Sequence, residues 1–384
     1  MVLDQEFPPD IRVENEIEAL TGAGIEVHLA SLSLKERPRL ERQNHLVIHR
    51  MAVSPFVHKF SIAALTCPLY FHLWSKFLAD ILKKEQMDVL HIHDLPLISV
   101  GIKLGRKFGI PVLADLHENW PALLSISSHT NTLAGKILSP VRLWTDYEKM
   151  VLGKVDRIIT VVEEARNRIL RMNIDESKVH VVSNTLNLNH FQILHEKPHR
   201  DDILLVYTGG ITYHRGLQTV IQAMGRISKE VQRLKLWIIG EGRYTHTLKA
   251  MCHSLGLDDK IIFHGYQSYQ EMIRLLGQAD YGIIPHIRSG HTDATIPHKL
   301  FQYMYAGMPV ISSDCLPLVR VINEAQCGFI YTSDRAEELA RVLKGLDKKA
   351  DQRLGNNGRE MVLKKYTWDN DARELLRVYQ HFIR

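Results

Sequence analysis

The sequence is poor in cysteine. Its 384 residues include four, Cys67, Cys252, Cys315 and Cys327. They stand too far apart for the short spacings of a zinc motif or of a small disulfide framework, so we predict free thiols in a reducing compartment, the cytoplasm. The opening residues, MVLDQEFPPD, lack the basic start and the apolar run of a signal peptide.

The sequence also lacks a long apolar run and a strong charge of either sign. The least charged stretch, residues 61–75, is interrupted by Pro68 and His72. A membrane-spanning helix needs roughly 18 apolar residues or more, so no span is predicted. The net charge of +5 does not indicate a general nucleic-acid role, whereas an anionic small ligand or an anionic membrane surface fits it.

Apolar strand candidates alternate with helices along nearly the whole chain. They read IEVHLASL, DVLHIHD, IPVLADLHE, KVDRIITVV and KVHVVSN in the first half, and ILLVYTG, LKLWIIG, KIIFHG, DYGIIP, PVISSD and GFIY in the second. This alternation is typical of right-handed βαβ units and doubly wound parallel sheets. Because 384 residues exceed one ordinary core, we predict an α/β protein of two Rossmann-like domains that face a cleft.

A polar stretch with a proline, HEKPHRD, marks the predicted boundary. We place the first domain at 1–195 and the second at 196–365. The last residues, 366–384, form an amphipathic helix with no strand after it, which we expect to cross back to the first domain.

Two motifs of the second half predict a phosphate site. Residues 207–216, YTGGITYHRG, lead from a strand through a glycine turn to Arg215 and a helix. Residues 297–307, PHKLFQYMYAG, begin a helix after Pro297 and place Lys299 in its first turn. Helix N-termini and nearby cations favour phosphate groups, and two such elements suggest a diphosphate with a tail at each end, as in a nucleotide sugar.

In order, WIIGEG, KIIFHGYQ, EMIRLLGQADYGIIP and PHKLFQYMYAGMPVISSD resemble the C-terminal half of retaining GT-B glycosyltransferases of family four. The N-terminal segments PPDIRVENEIEAL, DVLHIHD and ADLHENWP resemble that family's other half. The resemblance implies transfer of a sugar from a UDP- or GDP-linked donor to a glycan or lipid-linked acceptor, in cell-surface polysaccharide synthesis. It assigns the first domain to the acceptor and the second to the nucleotide sugar.

The resemblance implies a set of donor-binding residues: Gly209, Gly210, Arg215, Gly240, Glu241, Tyr266, Pro297, Lys299, Leu300 and Gln302. Arg215 stands where the family has a lysine, but Gly210 replaces a second cation, the family's arginine. The alternative for the glycine pair is a tight turn that needs small residues. Gln302 replaces a glutamate that binds the ribose, and its amide oxygen accepts hydrogen bonds without charge. A solvated helix residue is the alternative for Gln302.

The family's first glutamate falls at Ala294, with Asp293 beside it. In the first half, His117 resembles the histidine that reaches the donor sugar, and Glu118 is the candidate partner of the acceptor hydroxyl. Asp10 and Arg12 are the acceptor-side candidates, although Arg12 could instead cap or pair on its own helix.

We predict no metal and no cofactor. No Asp-x-Asp pair stands near a strand end, and Arg215, Lys299 and helix amides suffice to neutralise a diphosphate. His91 and His93 alternate along one strand, but with 21 histidines in the chain a metal site there is disfavoured.

The acceptor is the least determined part. Residues 56–77 mix aromatic and aliphatic side chains with Lys59, Lys76, Lys83 and Lys84 close by. An ordinary core helix is the preferred interpretation, and an interfacial helix on anionic lipid is the alternative. That alternative would place the protein at the inner face of the cell membrane and make a lipid-linked acceptor plausible.

Two other functions stay open at this point. A nucleotide-sugar 2-epimerase has the same fold and donor, and changes the sugar without releasing nucleotide. The other possibility is a degenerate, non-catalytic partner protein, which the residues Gly210, Ala294 and Gln302 suggest. Such a protein would neither change the sugar nor release nucleotide.

Overall fold

The computed structural model describes residues 1–34, 37–127, 130, 132–193 and 200–383. The chain divides into two compact units. Unit 1 comprises Met1–Ser183 with Asp369–Arg384, and unit 2 comprises Asn184–Trp368. The boundary we predicted at 195/196 lies outside the described residues.

Unit 1 is built on a sheet whose described strands, in chain order, are β1 (Val2–Glu6), β2 (Val27–Ser33), β3 (Leu40–Gln43), β4 (Leu46–Ala52), β5 (Leu90–His93), β6 (Val112–Leu116), β7 (Arg157–Thr160) and β8 (Val179–Val181). Their spatial order is β3-β4-β2-β1-β5-β6-β7-β8. All neighbours pair in parallel except β3 and β4, which form an antiparallel hairpin at the edge. This hairpin was not among the predicted strands.

The described helices of unit 1 are α1 (Ile11–Gly22), α2 (Pro55–Lys59), α3 (Leu69–Leu82), α4 (Ile98–Phe108), α5 (Trp120–Ile126), α6 (Leu133–Leu138), α7 (Val141–Leu152) and α8 (Glu163–Leu170). Helix α3 buries Trp74 and Leu78 in a core that includes Trp144 of α7 and Ile92 of β5. The core-helix interpretation of this segment therefore holds for one of its faces. In the described parts of the chain, no helix combines the length and the apolarity that a membrane span requires.

Unit 2 is built on an all-parallel sheet of β9 (Ile203–Thr208), β10 (Leu234–Ile239), β11 (Ile261–Gly265), β12 (Tyr281–Ile284), β13 (Val310–Ser313) and β14 (Gly328–Tyr331). Their spatial order is β11-β10-β9-β12-β13-β14. The order reverses at β9 and β12, and ligands of doubly wound sheets bind beyond the carboxyl ends of strands at such a point.

The described helices of unit 2 are α9 (Leu217–Ile227), α10 (Thr245–Ser254), α11 (Tyr269–Leu276), α12 (Lys299–Tyr305), α13 (Leu316–Ala325), α14 (Ala336–Lys344) and α15 (Gln352–Lys364). Helix α9 packs Val220 and Met224 against Leu205 and Ile238 of the sheet. Burying an aliphatic side chain of this size contributes about 1.5–3 kcal/mol, so these contacts fix where the loop before α9 lies. The predicted class, two doubly wound α/β domains, is confirmed.

The final helix, α16 (Trp368–Gln380), lies almost entirely in the part of the chain that belongs to unit 1. The hydroxyl oxygen of Tyr379 lies 2.8 Å from Nδ1 of His91 on β5, and Glu374 lies 3.5 Å from Nδ1 of His180 on β8. The polypeptide therefore starts and ends in the same unit.

Candidate functional site

The loops that follow β9 and β10 touch each other through their backbones in unit 2. The amide of Gly209 donates to the carbonyl of Ile239 at 2.9 Å, and the amide of Ile211 donates to the carbonyl of Glu241 at 2.9 Å. Gly240 has φ of 138°, and a Cβ there would lie 2.1 Å from the carbonyl oxygen of Gly209. Glycine is therefore required at position 240. The close contact places the backbone amides of both loops at the carboxyl ends of β9 and β10.

Arg215 ends a short 3₁₀ turn, Tyr213–Arg215, just before α9. Gly216 follows with φ of 73°, and a Cβ there would lie 1.7 Å from the carbonyl oxygen of Pro285. Nη1 of Arg215 lies 3.1 Å from Nε2 of His286. Burial, aided by Arg215, holds the pKa of His286 well below its ordinary value, so the imidazole is neutral and accepts this hydrogen bond. The turn and its neutral partner therefore hold Arg215 in place without cancelling its charge.

Lys299 brings a second cation to the same loops. Its side chain is 8% exposed, and its Nζ lies 3.8 Å from the centre of the Tyr207 ring. A Cβ on Gly209 would lie 3.0 Å from this Nζ. Among the described residues, no carboxylate lies within 4.0 Å of Lys299 or Arg215. Burial, and then the charge of Arg215, lower the pKa of Lys299 well below its ordinary value. To carry a positive charge, this amine therefore needs an anion that the described side chains do not supply.

Gln302 is also buried, at 8% exposure, and the solvated alternative is wrong. Burial raises the pKa of the Tyr269 hydroxyl, and the nearby Gln302 side chain opposes that rise. Ala294 is buried, and the neighbouring Asp293 is 3.1 Å from Nε of Arg288 and accepts from the Leu316 amide at 2.9 Å. The acid next to the family's first glutamate position thus has structural partners.

A cavity of 720 Å³ opens beside the Gly240 loop. Its lining includes Gly240, Glu241, Arg243, Lys249, Phe263 and His264. Tyr266 is 80% exposed and does not line it. Leu300 is fully buried in the core, so its side chain gives no support to a donor contact, while Pro297 accepts from the Leu300 amide at 3.0 Å as α12 begins.

In unit 1, His117 follows directly after β6. Its Nε2 lies 3.0 Å from Oδ2 of Asp115, and its Nδ1 lies 3.8 Å from Oδ2 of Asp94. Burial alone would lower the pKa of His117, but the two carboxylates outweigh it and raise this pKa to about 9. The side chain keeps 15% of its surface exposed, and the half-buried Glu118 is its neighbour in the chain. His117 is therefore an imidazolium at neutral pH, suited to donating a hydrogen bond.

Arg12 is the clearest correction to the acceptor-side prediction. It is 4% exposed, and its guanidinium donates to both carboxylate oxygens of Asp115 and, at 3.0 Å, to the carbonyl of Val182. Its Nε lies 3.0 Å from Glu16. The alternative that Arg12 pairs on its own helix is thus the one observed. Asp10 caps α1 by accepting from the Val13 amide at 3.1 Å, which leaves its acceptor role a prediction.

The structure gathers the predicted residues into two groups. The first group lies in unit 2, where Lys299 at the start of α12 contacts the loops that follow β9 and β10; its members are Gly209, Gly210, Arg215, Gly240, Glu241 and Lys299. His117 and Arg12 of unit 1 meet at Asp115, which sequence reasoning missed. Its signal was a carboxylate inside an otherwise apolar strand, VLADL, where a buried charge requires a partner.

Two family models match consecutive parts of the chain. Residues 11–190 match the model described as Glycosyltransferase Family 4, and residues 191–361 match Glycosyl transferases group 1. An uncharacterised glycosyltransferase of Methanocaldococcus jannaschii is 25% identical over 98% of this chain and 96% of its own length. The α-monoglucosyldiacylglycerol synthase of Streptococcus pneumoniae is 23% identical over 66% of this chain and 57% of its own.

Solved structures share the fold. A sucrose-phosphate synthase from Thermosynechococcus elongatus superposes with a TM-score of 0.80 at 18% identity, covering 97% of this chain and 92% of its own. Anabaena HepE in complex with UDP-glucose gives 0.72 at 12% identity, covering 99% and 98%. With both family models matched in order and the fold in agreement, the chain belongs to the GT-B glycosyltransferases of the group 1 and family 4 type, and is a transferase.

Proposed function

We propose that this glycosyltransferase retains anomeric configuration and moves a sugar from a nucleoside diphosphate to a glycan or lipid-linked acceptor, with no divalent metal at the diphosphate. The observation that carries the proposal is the pair of Arg215 and Lys299, which have no carboxylate within 4.0 Å among the described residues. A diphosphate supplies the missing charge. Burying cations is costly unless they are paired, so the free site favours an anionic ligand.

The two cations stabilise the leaving group. As the bond from the sugar to the diphosphate breaks, negative charge grows on the phosphate oxygens. Fixed cations and backbone amides aimed at that charge lower the barrier, because they are already oriented before the reaction. Their two positive charges do the work that a metal ion does in other transferases.

The retaining mechanism is proposed from what the donor site lacks. Ala294 stands at the first glutamate position, and Asp293 is committed to Arg288 and the Leu316 amide. Neither provides a carboxylate nucleophile. We therefore propose that the acceptor attacks from the side of the leaving phosphate, and that this phosphate takes the acceptor proton.

His117 contributes as a cation. Asp115 and Asp94 hold its proton, so it donates a hydrogen bond to a sugar hydroxyl rather than acting as a base. Glu118 stays the proposed partner of the acceptor hydroxyl, and Asp10 stays an acceptor-side residue.

The nucleoside occupies the cavity beside Gly240 and Glu241 in this proposal. Its volume of 720 Å³ lies within the usual range for a small-molecule pocket, about 300–1,000 Å³. Glu241 and the amide of Gln302 are the groups we propose for the ribose hydroxyls. HepE, a protein of the same fold, was solved with UDP-glucose, which supports a nucleotide sugar here.

The lipid-linked acceptor is supported by an exposed apolar surface on unit 1. Its large side chains are Phe56, Leu69, Leu73, Ile137 and Leu138, with exposures of 70%, 66%, 40%, 73% and 48%. The hydroxyl of Thr66 donates to the carbonyl of Leu138 at 2.8 Å and ties the two segments together. Exposed Lys76 and Lys84 lie on and after α3. Apolar side chains beside basic ones suit an anionic membrane, and the relative in Streptococcus pneumoniae is named for a lipid product.

The test is a panel of nucleotide sugars assayed for thermal stabilisation of the purified chain, followed by transfer assays with the sugar that stabilises most. Stabilisation grows with ligand concentration over affinity. We expect one UDP- or GDP-linked sugar to raise the melting temperature and to release nucleoside diphosphate with retention when an acceptor is added. Conversion of the sugar without nucleotide release would indicate the epimerase, and inverted product would overturn the stereochemical proposal.

A further inference from the structure

Four buried side chains of unit 1 converge beneath His117: Glu16 of α1, His91 and His93 of β5, and Asp115 of β6. One nitrogen or oxygen atom from each lies within 4.8 Å of the others. Their exposures are 0%, 1%, 1% and 0%. No part of the proposed transfer uses Glu16, His91 or His93.

The fold explains the convergence. Two residues apart on a strand, His91 and His93 project from the same face of the sheet. Strand β6 is the parallel neighbour of β5 and places Asp115 directly beside His93. Glu16 comes from the helix that connects β1 to β2.

The contacts of His91 and His93 use their Nδ1 atoms and leave both Nε2 atoms without a hydrogen-bond partner. Nδ1 of His91 lies 2.8 Å from the hydroxyl oxygen of Tyr379. Nδ1 of His93 lies 3.2 Å from Nε2 of His117 and 3.4 Å from Oδ2 of Asp115. In the tautomers in which the two Nδ1 atoms donate to Tyr379 and Asp115, each Nε2 carries a lone pair. Both Nε2 atoms lie 4.0 Å from Oε2 of Glu16, and none of these three atoms has a hydrogen-bond partner.

Buried polar atoms are nearly always paired, because each unpaired one costs about 1–3 kcal/mol. Burial, and then Asp115, raise the pKa of Glu16 well above its ordinary value. Once that proton is lost, two imidazole lone pairs and a carboxylate oxygen remain, and they cannot pair with one another because all three are acceptors. They can share a cation. First-row ions bind nitrogen and oxygen at about 2.0–2.2 Å, so ligand atoms roughly 3–4.4 Å apart fit around one ion.

Arg12 does not occupy this position. It approaches Oε1 of Glu16, at 3.0 Å, whereas the imidazoles face Oε2. On Asp115, the guanidinium donates to both oxygens, and Oδ2 also lies 3.0 Å from Nε2 of His117. Oε2 of Glu16 is therefore open to an ion, whereas Asp115 is already held by Arg12 and His117 and would stand beside the ion.

We propose that Glu16, His91 and His93 bind one divalent first-row transition metal ion within unit 1, beside Asp115. Mixed imidazole and carboxylate ligands suit zinc, manganese or iron, and disfavour calcium and magnesium, which prefer oxygen alone. Tyr379 orients His91 from the outer side, as partners of metal-bound histidines commonly do. The ion ties α1 to β5 below His117, and Tyr379 connects His91 to α16. This site is independent of the proposed diphosphate site, which needs no metal.

The experiment measures metal in the full-length chain. The protein is produced with added zinc or manganese, passed through a desalting column, and its metal is counted by mass spectrometry. His91→Gln, His93→Gln and Glu16→Gln are compared with His253→Gln, a matched control at a side chain that is 85% exposed. We expect about one ion per chain in the wild type and the control, and at least a tenfold loss in the three site variants, with circular dichroism checking their folds.

A second measurement does not depend on the variants folding. Cobalt is added to the metal-free wild type, and its visible absorption is recorded together with the melting temperature. Absorption of a nitrogen-ligated cobalt ion that saturates at one equivalent, with a raised melting temperature, supports the site. A wild type without bound metal and without saturable cobalt absorption, or folded site variants that keep their metal, overturns the proposal. The bare nitrogens would then be bridged by a water molecule.

Discussion

The two units treat buried charge in opposite ways. In unit 1, Arg12 lies within 3.0 Å of two carboxylates, Asp115 and Glu16, so opposite charges are buried together. In unit 2, the cations of Arg215 and Lys299 are brought together with no carboxylate within 4.0 Å among the described residues. A buried charge with a partner stabilises the fold, whereas one without a partner destabilises it in the absence of a ligand. This contrast distinguishes residues with a structural role from residues that we propose bind the substrate.

The largest expected effect comes from breaking the pairing in unit 1. Arg12→Met removes the cation beside Glu16 and leaves Asp115 with His117 alone. Removing one partner of a buried ion pair costs about 3–5 kcal/mol of unfolding free energy. Urea unfolding of the variant measures this. Arg142→Met, at a side chain that is 93% exposed, is the control and should leave stability within about 0.5 kcal/mol. Equal stability of the two variants would show that the Arg12 pairs contribute nothing.

The reverse result is expected in unit 2. Lys299→Met removes a buried amine that has no anionic partner among the described residues, so the ligand-free variant should be as stable as the wild type or more stable. Donor use should nevertheless fall, since losing a charge-assisted contact costs about 2–4 kcal/mol of transition-state stabilisation, for Lys299→Met and for Arg215→Ala alike. Kinetics and melting curves are measured on the same samples, with Lys229→Met as an exposed control. Variants with normal kcat/KM would remove both residues from the donor site.

His117 tests whether the carboxylates of unit 1 serve the reaction as well as the fold. His117→Ala should lower turnover by about 10- to 1000-fold through lost positioning of the sugar. In the wild type, the pKa of His117 is raised to about 9, so the imidazole stays protonated below that pH. The stability that this ion pairing gives is fully present below the ordinary histidine pKa of 6.5 and is lost as the pH rises through about 9.

Wild-type activity should therefore decline above pH 9 along with the charge of His117, and the imidazole signal in an NMR titration should move over the same range. An imidazole that titrates near pH 6.5, or turnover that is normal in His117→Ala, would leave the residue a structural part of its strand end.

The smallest effect is expected at Gln302. Exchange to Glu supplies a charged acceptor for ribose hydroxyls, and charged acceptors make stronger hydrogen bonds. Calorimetry should show donor affinity that is kept or modestly tightened. Because Gln302 is buried against the Tyr269 hydroxyl, Tyr269→Phe is the companion variant that separates the ribose contact from the internal one. Collapse of affinity in Gln302→Glu alone would mean that the amide does not bind ribose.

The sequence predicted the sheets of both units better than it predicted the buried charged residues of unit 1. Most of the parallel strands of both sheets were predicted, because buried strands such as ILLVYT are continuous apolar runs. The hairpin of Leu40–Gln43 and Leu46–Ala52 was missed, since LERQ is an exposed, polar edge strand without that pattern. Local motifs with glycines and a cation revealed the site of unit 2.

The cluster of unit 1 was not predicted, because its members are distant in the sequence. Glu16 precedes His91 by 75 residues, and only the parallel pairing of β5 with β6 brings Asp115 to His93. An alternating His-x-His pattern on a strand does not reveal which helix covers it. The same distance explains why Arg12 was assigned to the acceptor: its carboxylate partner Asp115 lies 103 residues further along.

The central claim is that Lys299 and Arg215 bind the diphosphate of the donor. Proton uptake on binding tests this claim most directly. UDP and GDP are titrated into the protein by calorimetry in EDTA, in buffers of different ionisation enthalpy, between pH 7 and 9. Because burial lowers the pKa of Lys299 in the free protein, a bound diphosphate restores its proton. We predict metal-free binding of one of the two nucleotides with net proton uptake, which Lys299→Met abolishes. Binding that requires added magnesium, or that proceeds without proton uptake across this range, would contradict the account.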